Sequence, residues 1–270
     1  MFLVALRGPV RSALVPAEVG YDRVLERLTG IVERCAAAGD RVGYFAAMYL
    51  AVTETVRSRA ADGGFVDAAR MEHFVGSFAD RYVRAHDAWC AGERSPLSWR
   101  AAFEATRRWR PVILQHLLLG MNAHINLDLG VTASALGDGG SLDAARVDFD
   151  AMNDVLAELV DGCQRALNEV SPWLDLVDHI GGGGDETVIR FSLVVARRQA
   201  WSTATRLAAL SEGRRDAEIA AVDRATAGVA HVVEHPGIAA STVLLLVRAR
   251  ERAAPGDVMA LLAAVRPTRL

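Results

Sequence analysis

The chain has 270 residues, 51% hydrophobic and 6% aromatic, with a formal net charge of -3; this length suits a single domain, and the charge gives no reason to expect nucleic acid or an anionic membrane as partner. All 30 basic residues are Arg and Lys is absent, which excludes a Schiff-base lysine and a phosphate-loop lysine. Cys35, Cys90 and Cys163 are widely spaced and form no CxxC pair, so they read as reduced core residues of a cytoplasmic protein.

The opening MFLVALRGPV lacks the basic flank and apolar length of a signal peptide. Residues 1–20 therefore read as an N-terminal extension, frayed or docked, and 21–270 as one helical domain. From Tyr21 onward the apolar residues recur at helical spacing, with almost no period-two alternation, so the predicted fold class is all-α. Helices are expected at 21–37, 41–61, 66–90 and 96–109, then a central one at 111–136. Others follow at 142–170, 172–179, 186–211, 214–234, 238–253 and 256–265. Gly, Pro, Asp and Ser clusters punctuate them, and the four glycines at 181–184 read as a flexible turn, since no GK[ST] follows. No window reaches the ~18 apolar residues of a membrane span: His116, His124 and Asp128 interrupt one stretch, and Arg248 closes IAASTVLLLV. With no internal repeat visible, the architecture expected is an irregular multi-helix bundle around a buried central helix.

That central segment, PVILQHLLLGMNAHINLDLGVTASAL, is apolar on every side yet carries Gln115, His116, Asn122, His124, Asn126 and Asp128. At ~100° per residue, His116, Gly120, His124 and Asp128 share one third of the circumference, and Gln115, Asn122 and Asn126 lie opposite. Buried polar groups left unpaired cost about 1–3 kcal/mol each, so both stripes need partners, either other helices or a ligand. The i,i+4 pair His124 and Asp128 has the spacing at which a carboxylate orients an imidazole and raises its basicity. The same spacing suits two metal ligands, with His116, His124 and Asp128 as the candidate set for zinc or another divalent ion. Gly120 would admit a neighbouring helix or a ligand closely.

Arg81 and Arg197 stand on or beside apolar faces and require an anion, either an internal carboxylate such as Asp128 or an acidic group of a ligand. Tyr82 and Trp201 are candidates to line the same cavity. Asp150 and Asp154 project away from the apolar stripe of their helix and read as a solvated face. His231 and His235, beside Pro236, read as a helix C-terminus that favours cations. The clusters Arg107, Arg108, Arg110 and Arg248, Arg250, Arg252 read as surface. GxSxG, a Rossmann glycine pattern and paired ExxH motifs are all missing, which removes support for a serine hydrolase, a nicotinamide dehydrogenase or a di-iron oxidase.

The string LQHLLLGMNAHINLDLG, together with FADRYVRAH, SWRAAFEA, FDAMNDVL and FSLVVARRQAW, resembles an uncharacterised family of all-helical bacterial proteins, a domain of unknown function common in actinobacteria. The likeness spans about residues 40–250 and leaves the N-terminal 20 outside. It implies an all-helical cytosolic domain, sometimes encoded near secondary-metabolite genes, with no established reaction. His116, Asn122, His124, Asn126, Asp128, Arg81 and Arg197 stand at the family's polar positions.

Three functions follow as expectations. The first is a small-molecule enzyme of non-redox acid/base chemistry, a cyclase, isomerase or hydrolase, without a cofactor. His124 would exchange the proton, with Asp128 and His116 beside it and Asn122, Asn126, Arg81, Tyr82, Arg197 and Trp201 holding the substrate. The second is a metal-dependent hydrolase or phosphoesterase, and the third a non-catalytic ligand-binding helical module. A homodimer stays open in all three.

Overall fold

A helix that is apolar around its whole circumference has no face to give to water and must be enclosed by others. The computed structural model describes residues 20–137, 142–171 and 185–267. Among them every regular element is helical: α1 (Tyr21–Ala38), α2 (Gly43–Ala61), α3 (Ala68–Cys90), α4 (Leu97–Thr106) and α5 (Ile113–Ala123). A π-helical turn (His124–Leu129) continues α5 without a break into α6 (Gly130–Ala133) and a 3-10 turn (Ser134–Gly137). After these come α7 (Leu142–Val170), α8 (Asp185–Ala208), α9 (Glu212–Glu234), α10 (Ile238–Arg250) and α11 (Pro255–Ala263). The all-α class is as expected, and so is the central rod. The helix predicted at 172–179, with His179, and the turn at 181–184 lie outside the described residues.

Two rods are enclosed rather than one. GYFAAMYLAVTETV in α2 is as evenly apolar as α5, and its first nine residues are all buried or nearly so, Ala46 and Ala47 completely. Helices α1, α11 and α7 cover α2 from outside, while α4 and α9 cover α5. The two rods meet at Gly120, where an added Cβ would stand 2.5 Å from the Phe45 ring, so the absent side chain lets the helices touch.

The core has two main parts. One joins α1, α2, α4, α5, α11 and the C-terminal half of α3. The other joins the N-terminal half of α3 to α7 and α8 through Phe74, Phe149, Leu129 and Trp201. The π-helical turn lies at their seam, with α3, α8 and α9 against it.

Carboxylates from distant parts of the chain close several helix starts, where backbone N–H groups have no partner within the helix. Asp148, 1% exposed, accepts from the Val66 and Asp67 amides and from Arg70. Asp223 accepts from the Leu97 and Ser98 amides at the start of α4. Glu251 accepts from the Ile113 amide, Ser171 and Arg248 at the start of α5. Two sequence expectations change accordingly. Helix α10 stops at Arg250 because Glu251 turns inward, and Arg248 is partly buried beside it rather than on the surface. Helix α4 stops at Thr106, short of 109, because the residues leading into Pro111 are biased away from helix. Of the three free cysteines, Cys35 is buried and Cys163 half-buried, but Cys90, at the end of α3, is exposed rather than in the core.

Candidate functional site

In a regular α-helix each step of four residues advances ~40° around the axis, so residues 116, 120, 124 and 128 would spiral slowly off one line. The wider π turn, with its i→i+5 bonding, counteracts that drift at its last members and aims Asp128 back between α3 and α4. There the Asp128 carboxylate, 1% exposed, accepts from Arg81 Nε at 3.0 Å and from the Trp99 indole Nε1 at 2.8 Å. The anion that Arg81 requires is therefore internal, and Arg81 itself, 31% exposed in its side chain, leads from the carboxylate to the surface.

His124 Nδ1 lies 3.5 Å from the Asp128 Oδ2, without the alignment of a hydrogen bond. Both ring nitrogens of His124 are buried and unpartnered. Phe78 stacks on the imidazole at 3.7 Å between centroids, and Tyr49 and Phe45 meet it edge-on at 4.5 and 5.4 Å. Burial in this box lowers the His124 pKa; Asp128 opposes that shift and Arg81 adds to it. The ring is therefore held neutral, one nitrogen a donor and the other an acceptor. The Tyr49 and Tyr82 hydroxyls are also buried without partners. Burial first, then Asp128 and Tyr82, pushes the Tyr49 phenol well above its ordinary value.

His116 stands apart, two helical turns back along α5. It is 5% exposed, meets the Tyr44 ring at 5.8 Å, and neither of its nitrogens has a partner. It lines a narrow hollow, open at one side, whose enclosed part has room for about one water and whose walls include Arg41, Tyr44, Phe45, Trp99 and Thr106. Burial chiefly, then the cations Arg41, Arg248 and Arg108, pushes the His116 pKa down to about 3, with the nearby Pro111 carbonyl opposing.

The opposite stripe is fully engaged. Gln115 Oε1 accepts from the Val112 amide at 3.1 Å while its Nε2 donates to the Val233 carbonyl at 2.8 Å. Asn122 donates to the Thr226 carbonyl and accepts from Asn126, both at 2.9 Å. These amides dock α5 and the π turn onto α9.

Arg197 and Trp201 join a different group. Arg197, 4% exposed, donates to Asn153 Oδ1 at 2.6 Å and to the Phe149 carbonyl, and its guanidinium lies 4.4 Å from the Phe149 ring centroid. Burial lowers its pKa to about 10, with Asp150 opposing. No carboxylate pairs with Arg197 among the described residues. Trp201 packs on the same Phe149 ring at 4.7 Å. Tyr82, by contrast, packs on Phe45 and Trp99 inside the aromatic group around His124. Asp150 is on an exposed face, paired with Arg146 at 2.7 Å, and Asp154 is exposed near it. His231 and His235 end α9.

Sequence reasoning passed over Phe45, Tyr49 and Trp99, the walls of the His124 box. A signal for them existed: α2 is apolar on every side, and a buried indole N–H needs an acceptor such as Asp128. Among the described residues no three His, Cys, Asp or Glu side chains converge as a metal ion requires, and His116 faces its own hollow rather than the His124 and Asp128 pair.

Residues 21–236 match the family of unknown function DUF5995. The chain belongs to that family. The DUF5995 match takes in α1 to α9, hence both stripes of the central rod, Arg81 and Trp99, and the Arg197 group. A search of curated proteins gives no match, and a search of solved structures gives none.

Proposed function

We propose that this DUF5995 protein is a small-molecule enzyme that moves protons without redox chemistry, with His124 as the proton-carrying side chain. The observation that carries the reading is a buried neutral imidazole with both nitrogens unsatisfied, beside a carboxylate held in place by two donors. Groups of this kind are costly to fold, so a native chain that keeps them has a use for them. π-helical turns also recur at functional sites.

In this reading His124 accepts a proton from the substrate through the nitrogen turned away from Asp128, and the carboxylate steadies the imidazolium that forms. The proton returns to the product at another atom, which is isomerisation or cyclisation; in hydrolysis the imidazole instead takes the proton of a water that attacks the carbonyl carbon, and passes it to the leaving group as that bond breaks. Asp128 is a positioning residue, and Arg81 and Trp99 fix its carboxylate. The rings of Phe78, Tyr49 and Phe45 suit an apolar substrate. Phe78 is half-buried and lies over the imidazole, so entry from the α3 side requires that ring to swing away. Asn122 and Asn126 serve packing in this account, and no cofactor enters it.

A metal-dependent reading would need His116, His124 and Asp128 around one ion, and the outward-facing hollow at His116 counts against that set. A non-catalytic binding module is favoured by one observation, the closed state of the aromatic box.

The test compares wild type with His124→Phe against a panel of small apolar esters and enolisable ketones, followed by hydrolysis and by exchange of C–H protons with deuterated water. The variant should lose the activity by at least about a hundredfold while melting at or above the wild-type temperature. Equal activity in both proteins sinks the reading.

A further inference from the structure

The hollow beside His116 is built differently from the box around His124. Its walls are the rings of Tyr44, Phe45, Trp99 and Phe103, and two features inside or at its edge lack a counterpart. His116, 95% buried, presents two unpartnered ring nitrogens. Arg41 carries a charge whose acceptor is a neutral group, the Arg108 carbonyl at 2.9 Å. The neighbouring cations do have carboxylates: Arg108 pairs with Glu234 at 2.5 Å and Arg248 with Glu251 at 3.3 Å. Arg41 has none among the described residues. The Thr106 hydroxyl, also in the wall, donates to the Phe103 carbonyl at 2.7 Å and keeps lone pairs only.

We propose that this hollow is a binding site for a small planar monovalent oxyanion, a short carboxylate or bicarbonate, held by Arg41 and by the N–H of a neutral His116. Charge at the mouth and a neutral donor within are what such an ion needs. Guanidinium meets a carboxylate edge with two parallel N–H groups, and an imidazole N–H adds a third donor. The size restricts the class. The enclosed part has room for about one water, so a single oxygen of an ion of a few heavy atoms enters it and the rest of the ion stays at the open side beside Arg41. The aromatic walls remove competing water, which strengthens the charge contact.

The neutral state of His116 agrees with this assignment. The cations acting on it, Arg41, Arg248 and Arg108, disfavour a further positive charge there. An anion beside Arg41 would offset that field. Tyr44 from α2, and Glu251 and Glu234 behind their arginines, are the other titratable groups on the surrounding elements.

The site shares Phe45 and Trp99 with the His124 box but none of its polar atoms, so it stands whether or not His124 carries protons. Imidazole nitrogens labelled with 15N report on it directly. Titration of the full chain with acetate or bicarbonate at pH 7.5 should move the His116 signals saturably, with half-saturation at or below about 10 mM, and leave those of His124 in place. Arg41→Gln, at a partly exposed position that folding tolerates, should weaken binding by about tenfold or more. His116→Gln, which keeps an N–H donor, should bind with intermediate strength. Either acetate or bicarbonate saturating in this way supports the site and identifies the source. No saturable shift up to about 100 mM, equal binding by Arg41→Gln, or chloride binding as tightly as both oxyanions would each overturn it.

Discussion

The two sides of the central rod carry the same number of polar side chains per turn and meet opposite fates. On the side facing α9, Gln115, Asn122 and Asn126 spend their amides on carbonyls and on one another. On the side facing α2, α3 and α4, Asp128 is bonded twice, yet His116 and His124 leave four ring nitrogens in the dark. Amides matched to backbone are assembly hardware. Imidazoles without partners are a standing cost of about 1–3 kcal/mol for each unsatisfied group, and the protein bears it only on the side where ligands could come.

The largest break in this contrast should come from Asp128→Ala, which strands the Arg81 guanidinium and the Trp99 indole together. We expect a loss of about 3–5 kcal/mol in urea denaturation; a loss below 1 would mean that Arg81 and Trp99 find water without the carboxylate. Acid comes next. Both imidazoles are held neutral in the fold, so their folded pKa values lie below the usual 6.5 and that of His116 is about 3. Unfolded histidine binds protons that the folded ring refuses. Stability from these groups is therefore full above pH 6.5 and drains as the pH falls toward 3. His116→Phe should flatten the slope relative to wild type by about tenfold in folding equilibrium constant per pH unit between 6 and 4.5. Identical slopes would show that the ring already reaches water.

Asn122→Leu tests the other side and should cost about 1–2 kcal/mol, because the Thr226 carbonyl and the Asn126 amide lose a partner. His124→Phe closes the series with the smallest change, between zero and about 1 kcal/mol of stabilisation, since it removes unpaired nitrogens and keeps an aromatic ring in an aromatic box. If Asn122→Leu were neutral and His124→Phe strongly destabilising, the assignment of the two sides would be reversed.

Helix existence was legible because Gly, Pro and Asp punctuate strong 3.6-residue periodicity, and the polar residues of the 111–136 segment stood out against leucine. The two stripes were legible for the same reason. The partners were legible only in part, Asp128 being a candidate anion for Arg81 and Arg197 alike. Nothing local in FADRYVRAH tells that Arg81 reaches Asp128 while Arg197, on an equally apolar face, turns to Asn153 and the Phe149 carbonyl; that choice is made by which helices cross. The π turn was hidden as well, because i→i+5 bonding leaves no composition signature and 111–136 reads as one uninterrupted helix. Glu251 was invisible as a cap because it comes from far along the chain to the start of α5.

The widened turn at His124–Leu129 amounts to one peptide unit more than a regular winding can hold. Were the same residues wound as ordinary helix, the backbone would gain regularity, while everything downstream would be rotated by about a quarter turn. Asp128 would then swing away from Arg81 and Trp99, and α6 would lose its seat on α8. The extra unit thus acts as a phase-setting spacer: it trades local regularity for the alignment of two halves of a core that are otherwise out of step.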